Sequence, residues 1–273
     1  MTTMPLSKGI TAGLRKAMED DPKVVLIGED IGKLGGVFRV TEGLQKDFGE
    51  HRVIDAPLAE SGIVGSAIGM AKRGFRPVVE IQFDAFIFPA YDQIVTQLAK
   101  MHARTRGAEN LPVVIRVPYG GGIGSPEHHS ESPEAVFAHH AGLKIMSPSN
   151  AHDAFWMIQE AIHSPDPVMY FEPKRRYWLR GDVDEANRGL DPYSAQIVRP
   201  GNDLTLVTYG PLVPTAMDVA TAAEEEGKSL EVIDLRGLNP IDFSVIEDSV
   251  KRTGRLVVAH EAPVFLGLGS EIA

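Results

Sequence analysis

From about Ser7 onward, short apolar runs alternate with segments whose apolar residues recur every three or four positions. The runs at 23–30, 76–83, 111–118, 143–148 and 166–173 are rich in β-branched residues and bounded by turn formers. Each predicts a buried strand. The segments between them predict helices at 60–74, 87–104 and 150–164. In the last, Ala151, Ala154, Phe155, Ile158, Ala161 and Ile162 share one face at i, i+3, i+4 and i+7 spacing. Ser7 stands where an N-cap would open a first helix, which Asp-Asp-Pro closes after Asp20.

Strands buried on both faces and joined by helices predict an α/β fold with a mostly parallel sheet covered on both sides. Between Pro173 and Pro200 the alternation fails, and the chain becomes charged, aromatic and rich in turn formers. It resumes with strands at 203–210, 229–235 and 255–262 and helices at 211–227 and 243–253. The expected organisation is a larger unit over 1–175, a linker over 176–200 and a smaller α/β unit over 201–273. That second unit is small for an independent layered fold. It stops at "GLGSEIA", where a helix is beginning, so it is expected to be incomplete.

Composition narrows the function. The chain has 273 residues, 43% hydrophobic and 23% charged, as an ordinary globular protein has. Lys and Arg total 27 against 37 Asp and Glu, a formal charge of -10. That balance disfavours nucleic acid, whose phosphates need a basic face, and argues against an anionic membrane surface. There are no cysteines, which excludes disulfides, thiolate metal sites and cysteine nucleophiles. No apolar run approaches the roughly 20 residues of a membrane span, and "MTTMPLSKGI" lacks a signal pattern. The expected location is the cytoplasm.

Three stretches carry candidate chemistry. In "DAPLAESGIVGSAIGMA", Glu60 opens a helix among Leu58, Ala59, Gly62, Ile63, Val64 and Gly65, with no cation within a turn. An acid at a helix N-terminus is favoured by the dipole alone, by about 0.3–1 kcal/mol. An acid desolvated by such neighbours is also pushed toward its neutral form and can share a proton with a ligand nitrogen. The second stretch, "VPYGGGIGSPEHHSESPEA", follows a strand and so lies at the ligand-binding edge of an α/β sheet. Its glycines make a mobile loop ending at His128 and His129. Adjacent side chains diverge and no metal-ligand spacing is present, so proton transfer suits the pair better than ligation, while a solvated pair remains open. The third, "EIQFDAFIFPAYDQI", supplies aromatic residues and an amide. Gln82 and Phe86 face one pocket if a helical turn begins between them; core packing accounts for most of the other rings. "FLGLGSEI" and "RGDVDEANRG" read as structural.

Together these stretches resemble the beta subunit of the thiamine-diphosphate-dependent decarboxylase component of 2-oxo acid dehydrogenase complexes. The likeness runs from about Ser7 to the last residue. It is carried by "VVLIGEDIGKLGGVFRVTEGLQKDFG", "VIDAPLAESGIVGSAIGMAKRGFRPVVEIQF", "HHSESPEAVFAHHAGLKIMSPSNAHDA" and "DPVMYFEPKRRY". It implies an N-terminal pyrimidine-binding domain and a smaller transketolase C-terminal-like domain, which in the family continues past Ala273.

By this resemblance Glu60 hydrogen-bonds the aminopyrimidine of thiamine diphosphate, and proton sharing there makes the cofactor a nucleophile toward the 2-oxo carbon. Leu58 and Phe86 flank the pyrimidine, with Gln82 near the active centre. His129, more than His128, handles substrate and the acylation of a lipoyl group. A potassium site of some relatives falls at Val113, Ala161, Ser164 and Asp166, where Ser164 and Asp166 replace the usual Asp and Asn. The Mg²⁺-diphosphate motif, Gly-Asp-Gly with later paired asparagines, is absent from the sequence. An alpha subunit is therefore implied to hold Mg²⁺ and half the cofactor in a heterotetramer that includes a second beta subunit. Its acceptor is a lipoyl acyltransferase core. "EIQFDAFIFPAYDQI" and "YFEPKRRY" look more like members acting on branched-chain 2-oxo acids than on pyruvate or acetoin. The rival readings are a single-chain nucleotide-binding enzyme and a non-catalytic scaffold subunit.

Overall fold

A computed structural model describes all residues, Met1–Ala273. The strands of its first half are β1 (Thr2–Pro5), β2 (Val24–Gly28), β3 (Val53–Asp55), β4 (Arg76–Glu80), β5 (Val114–Tyr119), β6 (Lys144–Met146) and β7 (Val168–Pro173). Those that follow are β8 (Arg180–Val183), β9 (Gln196–Arg199), β10 (Leu204–Thr208), β11 (Leu230–Asp234), β12 (Gly237–Asn239) and β13 (Leu256–Val258). Seven form the main sheet in the order β12-β6-β7-β5-β4-β2-β3. All its pairs are parallel except β12 with β6. A second sheet, β13-β10-β11-β9, is parallel apart from β9, and β1 pairs with β8. β2 and β5 are buried along their whole length, as strands covered on both faces must be.

The helices are α1 (Leu6–Asp20), α2 (Leu44–Phe48), α3 (Glu60–Lys72), α4 (Met101–Arg104), α5 (Glu134–Ala138), α6 (Ala151–His163), α7 (Val213–Glu225), α8 (Phe243–Thr253) and α9 (Leu268–Ile272). α1 and α6 pack on one face of the main sheet. A methyl on Gly13 would come within 2.4 Å of Ile158 Cγ2 and 2.5 Å of the Phe155 carbonyl oxygen, so the two backbones approach where only glycine fits. On the other face α3 and the 84–104 segment bury Ile63, Val64, Ala67, Ile87 and Ile94 in a core that continues to Val207, Ile233 and Ile246 of the second unit.

Four expectations need correction. Ser7 does not cap α1; it lies in the first turn, Pro5 precedes the helix, and no side chain caps it. The helix expected at 87–104 is broken. A 3₁₀ segment, Asp84–Ala90, contains Pro89, which cannot donate a helical hydrogen bond, and a π segment, Gln93–Leu98, leads into α4. The stretch 176–200, expected as linker, contributes strands β8 and β9. The strand expected at 255–262 shortens to β13. No helix is long and apolar enough to cross a membrane.

Candidate functional site

The carboxyl ends of the parallel strands converge on one edge, where α/β sheets bind ligands. β2 exits into Glu29 and Asp30, β3 leads to α3 and Glu60, β4 runs on to Gln82 and Phe83, and β5 opens the glycine loop. Glu60 is the first residue of α3 and only 8% exposed. Glu29 is buried next to it. Burial, then the nearby Glu60 and Asp30 carboxylates, push the Glu29 acid above the usual range, while the Ala59 amide opposes them. Glu29 Oε1 has no hydrogen-bond partner. A buried, partnerless acid oxygen beside a second buried acid has unspent hydrogen-bonding capacity.

An aromatic wall stands on the same edge. Phe83 and Phe86 meet edge to face at 5.7 Å, and the His129 ring packs against both, at 4.2 Å and 5.3 Å. His129 Nδ1 donates to the Glu127 carbonyl at 2.7 Å, a partner that can only accept. Its Nε2 is therefore left as the atom that takes up or delivers a proton. His128 is exposed and at φ 61°. Gln82 Nε2 donates to Asp30 Oδ2 at 3.4 Å, which ties the amide to the acidic pair's side of the cleft. Leu58 is 76% exposed at the mouth. The expected site residues are thus brought to one edge: Phe86 and His129 in direct contact, Glu60 and Gln82 linked to the Glu29–Asp30 corner, and Leu58 unpacked.

Behind the wall lies a buried charge network. Arg116 Nη1 donates to Glu80 Oε2 at 2.7 Å, and its Nε and Nη2 donate to the two oxygens of Glu172 at 2.6 and 3.1 Å. Burial works against the guanidinium charge, but the two carboxylates outweigh it and raise its pKa. Lys174 pairs with Asp84, directly after Phe83, with both side chains fully buried. This network fixes the strand ends on which the wall stands.

The residues fit an aromatic heterocycle with ring nitrogen and amino groups: two buried acids, one with a free oxygen, beside an apolar ring surface. The residues named for a potassium ion have partners within the chain. Ser164 Oγ accepts the Asp166 amide at 3.2 Å, and Asp166 pairs with Lys144 at 2.9 Å. The Val113 carbonyl accepts the Val168 amide at 3.0 Å. No group of three or more His, Asp or Glu side chains is arranged to hold a metal. His140 instead hydrogen-bonds Tyr91.

Phe83 belongs to the aromatic stretch already singled out in the sequence, whereas Glu29 and Asp30 were missed. The signal was present in "LIGED", an acid pair at a strand exit on the ligand edge.

Residues 2–178 match the transketolase pyrimidine-binding domain, and 194–273 match the transketolase C-terminal domain. The chain is 59% identical to the pyruvate dehydrogenase E1 component subunit beta of Leifsonia xyli subsp. xyli, over 99% of this chain and 80% of that protein. It is 52% identical to a 3-methyl-2-oxobutanoate dehydrogenase subunit beta of Mycobacterium tuberculosis, over 99% and 78%. Among solved structures, a split-gene transketolase described as an inactive beta4 tetramer superposes with a TM-score of 0.82 at 22% identity, covering 98% of this chain and 83% of that one. That last likeness concerns the fold.

Proposed function

This chain belongs to the family of 2-oxo acid dehydrogenase E1 beta subunits, and from that footing we propose that it forms the pyrimidine half of a thiamine-diphosphate site completed by an alpha subunit. The observation that carries the reading is the buried Glu60 beside Glu29, on the same sheet edge as Phe86 and His129. Bound there, thiamine diphosphate supplies the electron sink for loss of carbon dioxide from a 2-oxo acid.

The chain's own residues do the rest. Glu60 holds the aminopyrimidine by a hydrogen bond strengthened by exclusion of water. Glu29 lies beside Glu60, its pKa raised by burial and then by the Glu60 and Asp30 carboxylates. Leu58 and Phe86 flank the ring, and Gln82 holds the Asp30 corner. His129 presents Nε2 to substrate and to the acyl acceptor, a lipoyl group on an acyltransferase core. Mg²⁺ and the diphosphate fall to the alpha subunit, in a heterotetramer of two alpha and two beta chains in the cytoplasm.

For the substrate we favour branched-chain 2-oxo acids, supported by the apolar wall of Phe83 and Phe86. The pyruvate reading is favoured by the name of the Leifsonia relative. Co-expression with candidate alpha chains, followed by decarboxylation assays on a panel of 2-oxo acids with thiamine diphosphate and Mg²⁺, separates them. The expected result is a kcat/KM for 3-methyl-2-oxobutanoate at least about tenfold that for pyruvate, within what added methyl groups contribute in an apolar pocket. The reverse order establishes the pyruvate reading. Activity of the lone chain rejects the shared site.

A further inference from the structure

We propose that Glu261, from the second unit, is a positioning residue for His129. The loop that presents this histidine is tied within itself near the histidine, where Ser130 Oγ donates to the Ser125 carbonyl at 2.7 Å, but its entry is almost all glycine. Gly120, Gly122 and Gly124 all sit at positive φ, and the run "GGGIG" has little side chain with which to pack. Its base closes when the Gly120 amide donates to the Glu131 carbonyl at 2.8 Å.

The second unit reaches both ends of the loop. At the entry, Glu261 Oε2 accepts the Gly121 amide at 3.1 Å, and Oε1 accepts Arg175 Nη1 at 2.6 Å. A methyl on Gly120 would lie 2.6 Å from Glu261 Oε2, and one on Gly122 would lie 2.8 Å from Arg175 Cβ. The glycines therefore let this carboxylate–guanidinium pair approach the backbone. At the exit, Tyr209 Oη donates to Glu134 Oε1 at 2.5 Å, on the first residue of the helix that ends the loop. The neighbour of Glu261, His260, stacks on the Tyr209 ring at 6.0 Å. Its Nε2 accepts the Gly269 amide at 3.2 Å, which fixes the ring and the segment carrying Glu261.

Glu261 is mostly shielded from solvent, with 15% of its side chain exposed, so its bonds to Gly121 and Arg175 are protected from water. The loop thus behaves as a strap held by one charged anchor at the entry and by the Tyr209–Glu134 bond at the exit. The ring contacts of His129 with Phe83 and Phe86 follow from where that strap lies. The inference rests on the reading of His129 as the group facing substrate.

The test uses the assembled complex with its alpha chain and compares wild type, E261A, E261Q and H129A. Hydrogen–deuterium exchange over 120–131 is measured beside steady-state kinetics. In E261A, exchange in the loop rises about tenfold or more, as local opening loses its restraint. In the same variant kcat falls about tenfold or more with KM within about twofold, as expected when a catalytic group is displaced by an ångström or so. E261Q keeps an oxygen for the Gly121 amide but not the ion pair, so it is intermediate in both readouts. It also decides the matter should E261A lose its fold. Unchanged exchange in E261A and E261Q overturns the anchor. Faster exchange with kcat unchanged, while H129A lowers kcat, overturns the positioning role. An H129A complex with normal kcat rejects the reading of His129 instead, and the exchange result still decides the anchor.

Discussion

Glu29 and Glu60 face a problem that two neighbouring buried acids always pose, since both cannot be charged without cost. Burial first, and the neighbouring carboxylates second, raise the Glu29 pKa. Glu80 and Glu172, a second pair of buried acids, have a cation between them. One guanidinium serves Glu80 and Glu172, and Tyr177 Oη adds a donor to Glu172 at 2.5 Å. Substituting Arg116 by Met strands two carboxylates in a dry core, so Arg116→Met is expected to lower unfolding stability by about 3–5 kcal/mol. Urea denaturation of the variant measures this. A loss below about 1 kcal/mol would mean that the site's supporting charges are not coupled. Glu60 drew notice in the sequence through its apolar neighbours, whereas His129 was preferred to His128 only through the family resemblance, local sequence leaving a solvated pair open. Glu29 was not legible, because an acid in "GED" looks like any solvated acid until a second acid is folded against it. Glu261 was not legible either, since its partner Gly121 lies 140 residues away along the chain.

At the scale of elements, α1 and α6 form the tightest helix pair, and their contact depends on an absent side chain. Gly13→Ala forces a methyl against Ile158 Cγ2 and the Phe155 carbonyl oxygen. It is expected to cost about 1–3 kcal/mol despite the gain in helix propensity. A thermal melt showing no loss would contradict the packing described. The apolar parallel strands and α3, α6 and α8 could be read from period and composition, because they bury faces set by their own sequence. The short antiparallel strands β1, β8, β9 and β12 could not. Each exists only because a distant partner strand offers hydrogen bonds. The helix expected at 87–104 is broken because its apolar spacing is helical while Pro89 and a π turn interrupt the hydrogen-bond ladder.

The two sheets are joined by a shared core and by polar contacts, one of them where the chain crosses between them. After β11 the chain crosses to the main sheet as β12, and Arg236 binds both Asp153 oxygens, at 3.2 and 2.8 Å, and the Asp191 and Ser194 carbonyls. Beside it Asp234 is fully buried and accepts from Ser149 Oγ at 2.6 Å. Burial first, and Asp153 second, raise its pKa from an ordinary 3.8 to about 7. Between those values the folded chain binds a proton that the unfolded chain releases, so this group's contribution to stability declines as pH rises through that window. Asp234→Asn removes the decline. The variant is expected to exceed wild type in stability at about pH 8, by at most about 4 kcal/mol, and to match it near pH 4. Urea midpoints at the two pH values check the sign, and a variant weaker than wild type at the higher pH would refute it.

The central claim is that a shielded carboxyl at position 60 serves the cofactor's pyrimidine ring in a site shared with an alpha chain. Decarboxylation by the reconstituted complex carrying Glu60→Gln tests it most directly, with assembly confirmed by mass. A fall in kcat of about 10²–10⁴-fold is expected, the range for loss of a positioned proton-sharing group. An intact E60Q complex that decarboxylates at close to the wild-type rate would contradict it.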